Sequence, residues 1–148
     1  MDDFDSIRNL RAQCGASIGS CKKALEEAGG DMVKALEILR REGVVIAEKK
    51  SSRATNAGIV DAYVHGGHLG VLVAVKCETD FVARNEDFRA FTHDLAMHVA
   101  AAAPADVSEL LNQPFIKDSS KTVGDCVKAT IAKFGENVEI QRFVRLEL

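Results

Sequence analysis

Val71-Leu72-Val73-Ala74-Val75-Lys76-Cys77-Glu78-Thr79-Asp80-Phe81-Val82-Ala83-Arg84-Asn85 is the stretch whose reading decides the fold. Its first half alternates. Val71, Val73, Val75 and Cys77 fall on one side and Leu72, Ala74, Lys76 and Glu78 on the other, the period of a strand ending near Glu78. Beyond Asn85 the period changes: Phe88, Phe91, Leu95, His98, Val99 and Ala102 recur at spacings of three and four, which gives a helix one apolar face. Phe81 fits neither pattern. It stands beside an acid at a strand-to-helix turn, where connecting segments run over the surface. It therefore reads either as a protruding wedge for a partner or as a core residue folded back beneath the helix, the commoner fate of a Phe.

Upstream, Ile59, Asp61 and Tyr63 alternate with Val60, Ala62 and Val64, and Gly66-Gly67 turn the chain back into the quoted strand. Two such runs joined by paired glycines predict an antiparallel hairpin. His65 and His68 flank its turn, but no third ligand is near in sequence and no metal is expected. Downstream, Pro104 and Pro114 bracket a segment, residues 105–113, with room for one or two helical turns. Val123, Val127, Thr130, Ile131 and Phe134 predict another helix, ended by Gly135. Val138, Ile140, Arg142, Val144 and Leu146 then alternate as a final strand.

The amino-terminal third has a different texture. Phe4, Ile7, Leu10 and Cys14 make the apolar stripe of a first helix that Gly15 ends. Ser17 is placed to cap a second helix, which buries Ile18, Cys21, Leu25 and Ala28, leaves Lys22, Lys23, Glu26 and Glu27 to solvent, and stops at Gly29-Gly30. Asp31 caps a third, with Met32, Ala35, Leu36 and Leu39 inward and Gly43 as its end. Helices this short are unstable alone and must pack on one another. The expected organisation is a three-helix bundle over residues 1–46, a polar linker over 47–57, and an α+β core over 58–148, in which helices cover one face of a small antiparallel sheet.

Composition removes several function classes. With 19 Lys and Arg against 22 Asp and Glu, the net charge of −3 argues against broad nucleic-acid binding, which needs clustered cations. Lys49, Lys50 and Arg53 lie in the linker without an aromatic to stack on bases, so they read as a solvated face. Cys14, Cys21, Cys77 and Cys126 form no zinc-ligand spacing, and reduced thiols in a cytoplasmic setting are expected. No apolar run approaches a membrane span, and no phosphate loop, nucleophile elbow or paired carboxylates suggest an enzyme. No cofactor is expected. Two readings stay open on these grounds: a non-catalytic interaction module built on the bundle, or an RNA-binding protein using the bundle and its linker.

Three blocks carry a resemblance. Cys77-Glu78-Thr79-Asp80-Phe81-Val82-Ala83-Arg84-Asn85 resembles the core motif of the bacterial elongation factor Ts family, in its short, single-core-repeat form. Leu10-Arg11, Gly15-Ala16 and Cys21-Lys22-Lys23-Ala24-Leu25 resemble its amino-terminal motif, and Ile131-Ala132-Lys133-Phe134-Gly135-Glu136-Asn137 its third block. Cys14 and Ser20 depart from the family's usual Thr and Asp, and the 105–113 segment is shorter than is usual there.

The resemblance implies a ubiquitin-associated-like bundle and guanine nucleotide exchange on elongation factor Tu, in its GDP-bound and nucleotide-free states. Thr79, Asp80, Phe81 and Val82 would form the exchange contact, with Asp80 and Phe81 disturbing the partner's Mg²⁺ and phosphate site. Leu10, Arg11, Gly15, Lys22 and Lys23 would dock the bundle. A homodimer is expected through the final strand, at Phe143 and Val144. No membrane or direct nucleic-acid partner is implied.

Overall fold

The structure, a computed structural model, describes residues 3–148. It opens with α1 (Asp3–Cys14), α2 (Ile18–Glu27) and α3 (Met32–Lys50). Gly15, at φ +68°, ends α1, and the Ser17 hydroxyl accepts from Ser20 N at 3.1 Å to begin α2. The Asp31 carboxylate accepts from Val33 N and Lys34 N at the start of α3. Leu10, Cys21, Ala24, Leu25, Ala35 and Leu39 form the bundle's own core. Cys14 Sγ lies 3.9 Å from Cys21 Sγ, and burial, followed by that neighbour, pushes the Cys21 thiol up to about 11.

Three sequence expectations are corrected in this region. Phe4 and Ile18 are 72% and 56% exposed, because helices of 12 and 10 residues bury only a narrow strip against each other. Gly43 does not end α3: it is buried, lacks a positive φ, and sits where an added methyl would meet the Ala132 side chain at 3.5 Å. The helix continues to Lys50, and Ala47 packs in the larger core.

The larger core begins with the hairpin of β1 (Ala57–His65) and β2 (Leu69–Cys77), turned by Gly66 and Gly67 at φ +60° and +73°. There follow α4 (Asp80–Ala83), α5 (Glu86–Ala102), α6 (Val107–Asn112), the small hairpin β3 (Pro114–Phe115) and β4 (Asp118–Thr122), α7 (Val123–Phe134) and β5 (Val138–Glu147). The main sheet has the order β1-β2-β5, antiparallel throughout. Val71, Val73, Val75 and Cys77 of β2 pack with Phe88, Leu95 and Val99 of α5 and with Val123, Val127 and Ile131 of α7. The arrangement is α+β with helices on one face. Buried His98 accepts from Ile116 N at Nδ1 (3.2 Å), so its proton lies on Nε2, which donates to Gln113 Oε1 at 2.9 Å.

Two features of this core were not readable. The β3–β4 hairpin has no apolar alternation, since Asp118-Ser119-Ser120-Lys121-Thr122 is polar throughout. The alternation of β5 is also not continuous. Ala74 pairs with Arg142 but Val75 with Ile140, so Gln141 is an extra residue bulged out of the ladder. A one-residue insertion exchanges the two faces. Val138 and Ile140 therefore face the helices, whereas Val144 and Leu146 are exposed and Phe143 and Arg145 take the inner side. Arg145 donates to the Ala100 carbonyl of α5 from both Nε and Nη2, at 3.3 and 3.1 Å.

Among the described residues the sheet's outer face is left exposed, and it is largely apolar, with Val60, Val64, Leu72, Val144 and Leu146 in solvent and Arg142 beside Ala74. Ala62, Leu72 and Val144 are cross-strand neighbours, and Val64, Gly70 and Leu146 form the next row. No helix among the described residues is long and apolar enough to cross a membrane.

Candidate functional site

β2 ends at Cys77, and the chain needs a turn before α5 because its next backbone donors have no strand to pair with. Thr79 supplies it. In extended conformation (φ −128°, ψ 156°) it caps α4, its hydroxyl accepting from Val82 N at 3.5 Å. Ala83 N then bonds the Thr79 carbonyl at 3.2 Å and Arg84 N the Asp80 carbonyl at 3.0 Å. Asn85 starts α5 by accepting from Asp87 N at 2.8 Å. The result is a single helical turn pinned at both ends.

Within it the side chains divide. Ala83 is buried and Val82 packs half-buried against the core. Asp80 is exposed, and Phe81 is 90% exposed, the extreme among large apolar residues of the turn and of the helix that follows. Phe88, one turn into α5, is fully buried against Phe134, edge to face with ring centroids 6.0 Å apart. Phe88 thus lies in the core beneath α5 while Phe81 points outward.

The turn rests on a second junction, between α7 and β5. Gly135 takes φ +69° to end α7, and the next residue, Glu136, extends its carboxylate back. Glu136 Oε1 accepts from Glu78 N at 3.1 Å and Thr79 N at 3.0 Å, and Oε2 accepts from the Thr79 hydroxyl at 2.7 Å. In return Glu78 Oε1 accepts from Asn137 N at 2.7 Å, with the Arg53 guanidinium 3.8 Å away. Buried Asn137 donates from its amide to the Arg53 carbonyl at 2.9 Å. Burial raises the Cys77 thiol above its ordinary range, with the Glu136 charge adding to the shift.

The remaining sequence-predicted residues lie elsewhere. Arg11, Lys22 and Lys23 are exposed on the bundle, the lysines 3.9 Å from Glu26 and 3.7 Å from Glu42. Leu10 is fully enclosed in the bundle core, and Gly15 borders the aliphatic stem of Lys133, 3.1 Å from where its Cβ would stand. Lys133 Nζ in turn donates to Asp87 at 2.8 Å, which holds the Asp87 carboxyl below the ordinary carboxylate range. Arg40 and Asp125, 3.1 Å apart, make a second link from α3 to α7. Val144 lies on the open sheet face and Phe143 behind it, against the core. Sequence reasoning assigned no role to Glu136 or Asn137. Their signals are position, directly after a helix-ending glycine, and membership of the third block that resembles the family.

Residues 78–148, from the start of the turn to the carboxyl end, match the family model described as Elongation factor TS. The chain is 42% identical over 188 aligned positions to Elongation factor Ts of Desulforamulus reducens, covering 96% of this chain and 87% of that protein. It is 41% identical to that of Acetivibrio thermocellus (97% and 88% covered) and 43% identical to that of Geobacter metallireducens (96% and 87%). The first alignment's 188 positions exceed the 148 residues of this chain, so that relative carries at least 40 residues with no counterpart here.

Proposed function

The chain belongs to the elongation factor Ts family and is a translation elongation factor, and from that premise we propose that it is the guanine nucleotide exchange factor of a cognate elongation factor Tu. The observation that carries the reading is the exposure of Phe81 on a rigid turn, beside Asp80. Held out beside an acid on a capped turn, the ring is placed for a partner, where burial returns roughly 25 cal/mol for each Å² removed from solvent.

Phe81 enters an apolar slot that is open in the nucleotide-poor GTPase, while Asp80 disturbs the polar contacts around its Mg²⁺ and phosphates. Thr79 and Val82 frame the two side chains. The energetics are those of differential binding: a ligand shifts a conformational equilibrium only by as much as it prefers one state. If this chain weakens GDP binding by some factor, GDP weakens its binding by the same factor, and GTP drives release without energy input. Arg11, Lys22 and Lys23, with Leu10 and Gly15 shaping the surface behind them, dock the bundle on a separate patch of the partner and add avidity. No covalent chemistry of its own and no cofactor enter this mechanism, and its place of action is the cytoplasm.

The active form is a homodimer. Relatives are longer by at least 40 residues, and the uncovered face carrying Val60, Val64, Leu72, Val144 and Leu146 is a continuous apolar surface of the kind that marks an interface. The final strand provides the contact, Val144 offering its side chain and Phe143 packing beneath it.

Release of fluorescently labelled GDP from cognate elongation factor Tu tests the exchange reading. Catalytic amounts of this protein are expected to accelerate release by orders of magnitude. An unchanged rate, with the partner shown to be folded and to rebind GDP, overturns it.

A further inference from the structure

We propose that Glu136 is the positioning residue of the Asp80–Phe81 turn, a role that rests on the exchange reading for its purpose but on geometry for its existence. Phe81, 90% exposed, is oriented by its backbone alone. That backbone begins where β2 has ended, so the amides of Glu78 and Thr79 have no ladder partner. A single oxygen of Glu136, 57 residues further along the chain, takes both, at 3.1 and 3.0 Å. Two successive amides converging on one carboxylate oxygen form an anion-binding concavity, and hydrogen bonds to an ionised acceptor are about twice as strong as neutral ones.

The second oxygen sets the cap. By accepting from the Thr79 hydroxyl at 2.7 Å, it fixes which way that hydroxyl donates and turns a lone pair toward Val82 N at 3.5 Å. Without it the hydroxyl rotates freely and the four-residue α4 has no oriented cap. The reciprocal bond from Asn137 N to Glu78 Oε1, at 2.7 Å, stops the two junctions from sliding past each other. Glu136 makes no claim on the partner; it determines where Phe81 stands when the partner arrives.

The chain contains no Trp, so Phe81→Trp creates a single reporter at the turn. In that background Glu136→Ala is expected to lower the fluorescence anisotropy of the introduced indole at least twofold toward the value of a free peptide, with the far-ultraviolet dichroism of the fold kept. This measurement involves no partner, so it stands even if the protein exchanges no nucleotide. In the natural background Glu136→Ala is expected to slow GDP release at least tenfold. Adding it to the double variant Asp80→Ala/Phe81→Ala is expected to slow release no further, because neither exchange side chain is left to position; a residue that merely supports the fold would slow both backgrounds alike. Glu136→Gln, which keeps an acceptor for the two amides, is expected to fall between. Should Glu136→Ala not fold, Thr79→Val removes the hydroxyl alone and is expected to reproduce the loss of anisotropy, whereas Thr79→Ser is not. Unchanged indole anisotropy in a folded Glu136→Ala or Thr79→Val variant, or a further loss on top of Asp80→Ala/Phe81→Ala, overturns the proposal.

Discussion

Phe81 and Phe88 lie seven residues apart and at opposite extremes of exposure, the first 90% in solvent and the second fully enclosed against Phe134. Phe88→Ala is expected to cost roughly 3–5 kcal/mol of stability through lost transfer energy and the cavity left behind. Phe81→Ala is expected to leave the unfolding midpoint within experimental scatter of the natural protein. In the exchange assay the order reverses: Phe81→Ala slows GDP release at least tenfold, matching the ~2 kcal/mol or more that a buried aromatic anchor contributes to binding. Chemical denaturation and GDP release on the same samples check the pair. A large midpoint drop for Phe81→Ala would make it a core residue instead.

Asp80 follows the same logic with a different chemistry. As the first residue of α4 it gains at most about 0.3–1 kcal/mol from the helix dipole. Asp80→Ala is therefore expected to be nearly neutral in thermal unfolding and to slow exchange at saturating protein. Equal loss in the two measurements would count against a role at the partner's Mg²⁺ site.

The uncovered sheet face predicts the oligomeric state. Light scattering at micromolar concentration is expected to give twice the chain's 16.0 kDa mass. Leu72, at the centre of the face between Ala62 and Val144, is the position to charge: Leu72→Lys is expected to yield a folded monomer. A monomer mass for the natural protein at full exchange activity would refute the dimer.

Asp125 gives a pH dependence of known sign. Its carboxylate accepts from Thr122 N at 3.0 Å and pairs with Arg40 at 3.1 Å, and the Thr122 hydrogen bond first, with Arg40 adding to it, holds the carboxyl below its ordinary range. A depressed folded value contributes stability above the unfolded value, about 3.9, that is lost as pH falls through the folded one. Asp125→Asn keeps an acceptor for Thr122 N and removes only the charge, so it is expected to lower stability at neutral pH by about 0.3–1 kcal/mol, the range for a charge in a helix's first turn. Its midpoint should converge on that of the natural protein in strong acid. Parallel curves across the acid range would show that the carboxylate contributes nothing.

Two glycines separate strain from collision. A methyl on Gly29, at φ +62°, meets nothing within 4 Å, so Gly29→Ala is expected to cost only the left-handed penalty of about 1–2 kcal/mol. On Gly58, at φ +154°, it would stand 2.4 Å from the Val75 carbonyl oxygen. Gly58→Ala is expected to be clearly the more destabilising in thermal denaturation, since β1 must move off β2 to admit it.

What the sequence determined by itself was whatever local chemistry dictates. The hairpin and the strand up to Cys77 follow from unbroken alternation and paired glycines, the first helices from Ser17, Asp31 and Gly15, and the α+β class from the order of those elements. The motif from Cys77 to Asn85 was equally legible, since a family's chemistry is written in consecutive residues. Only the tertiary structure decided matters that depend on a partner distant in the chain. Gly43 looks like a stop until α7 packs against it, and Val144 shares a period with Val138 until Gln141 leaves the ladder and reverses the faces. The outward placement of Phe81 was left open by the sequence, because it falls outside both periodic patterns, and only the tertiary structure decided it. Glu136 reaches Thr79 only because β5 pairs with β2, which carries the end of α7 to the end of that strand, and no local periodicity records a contact made across 57 residues.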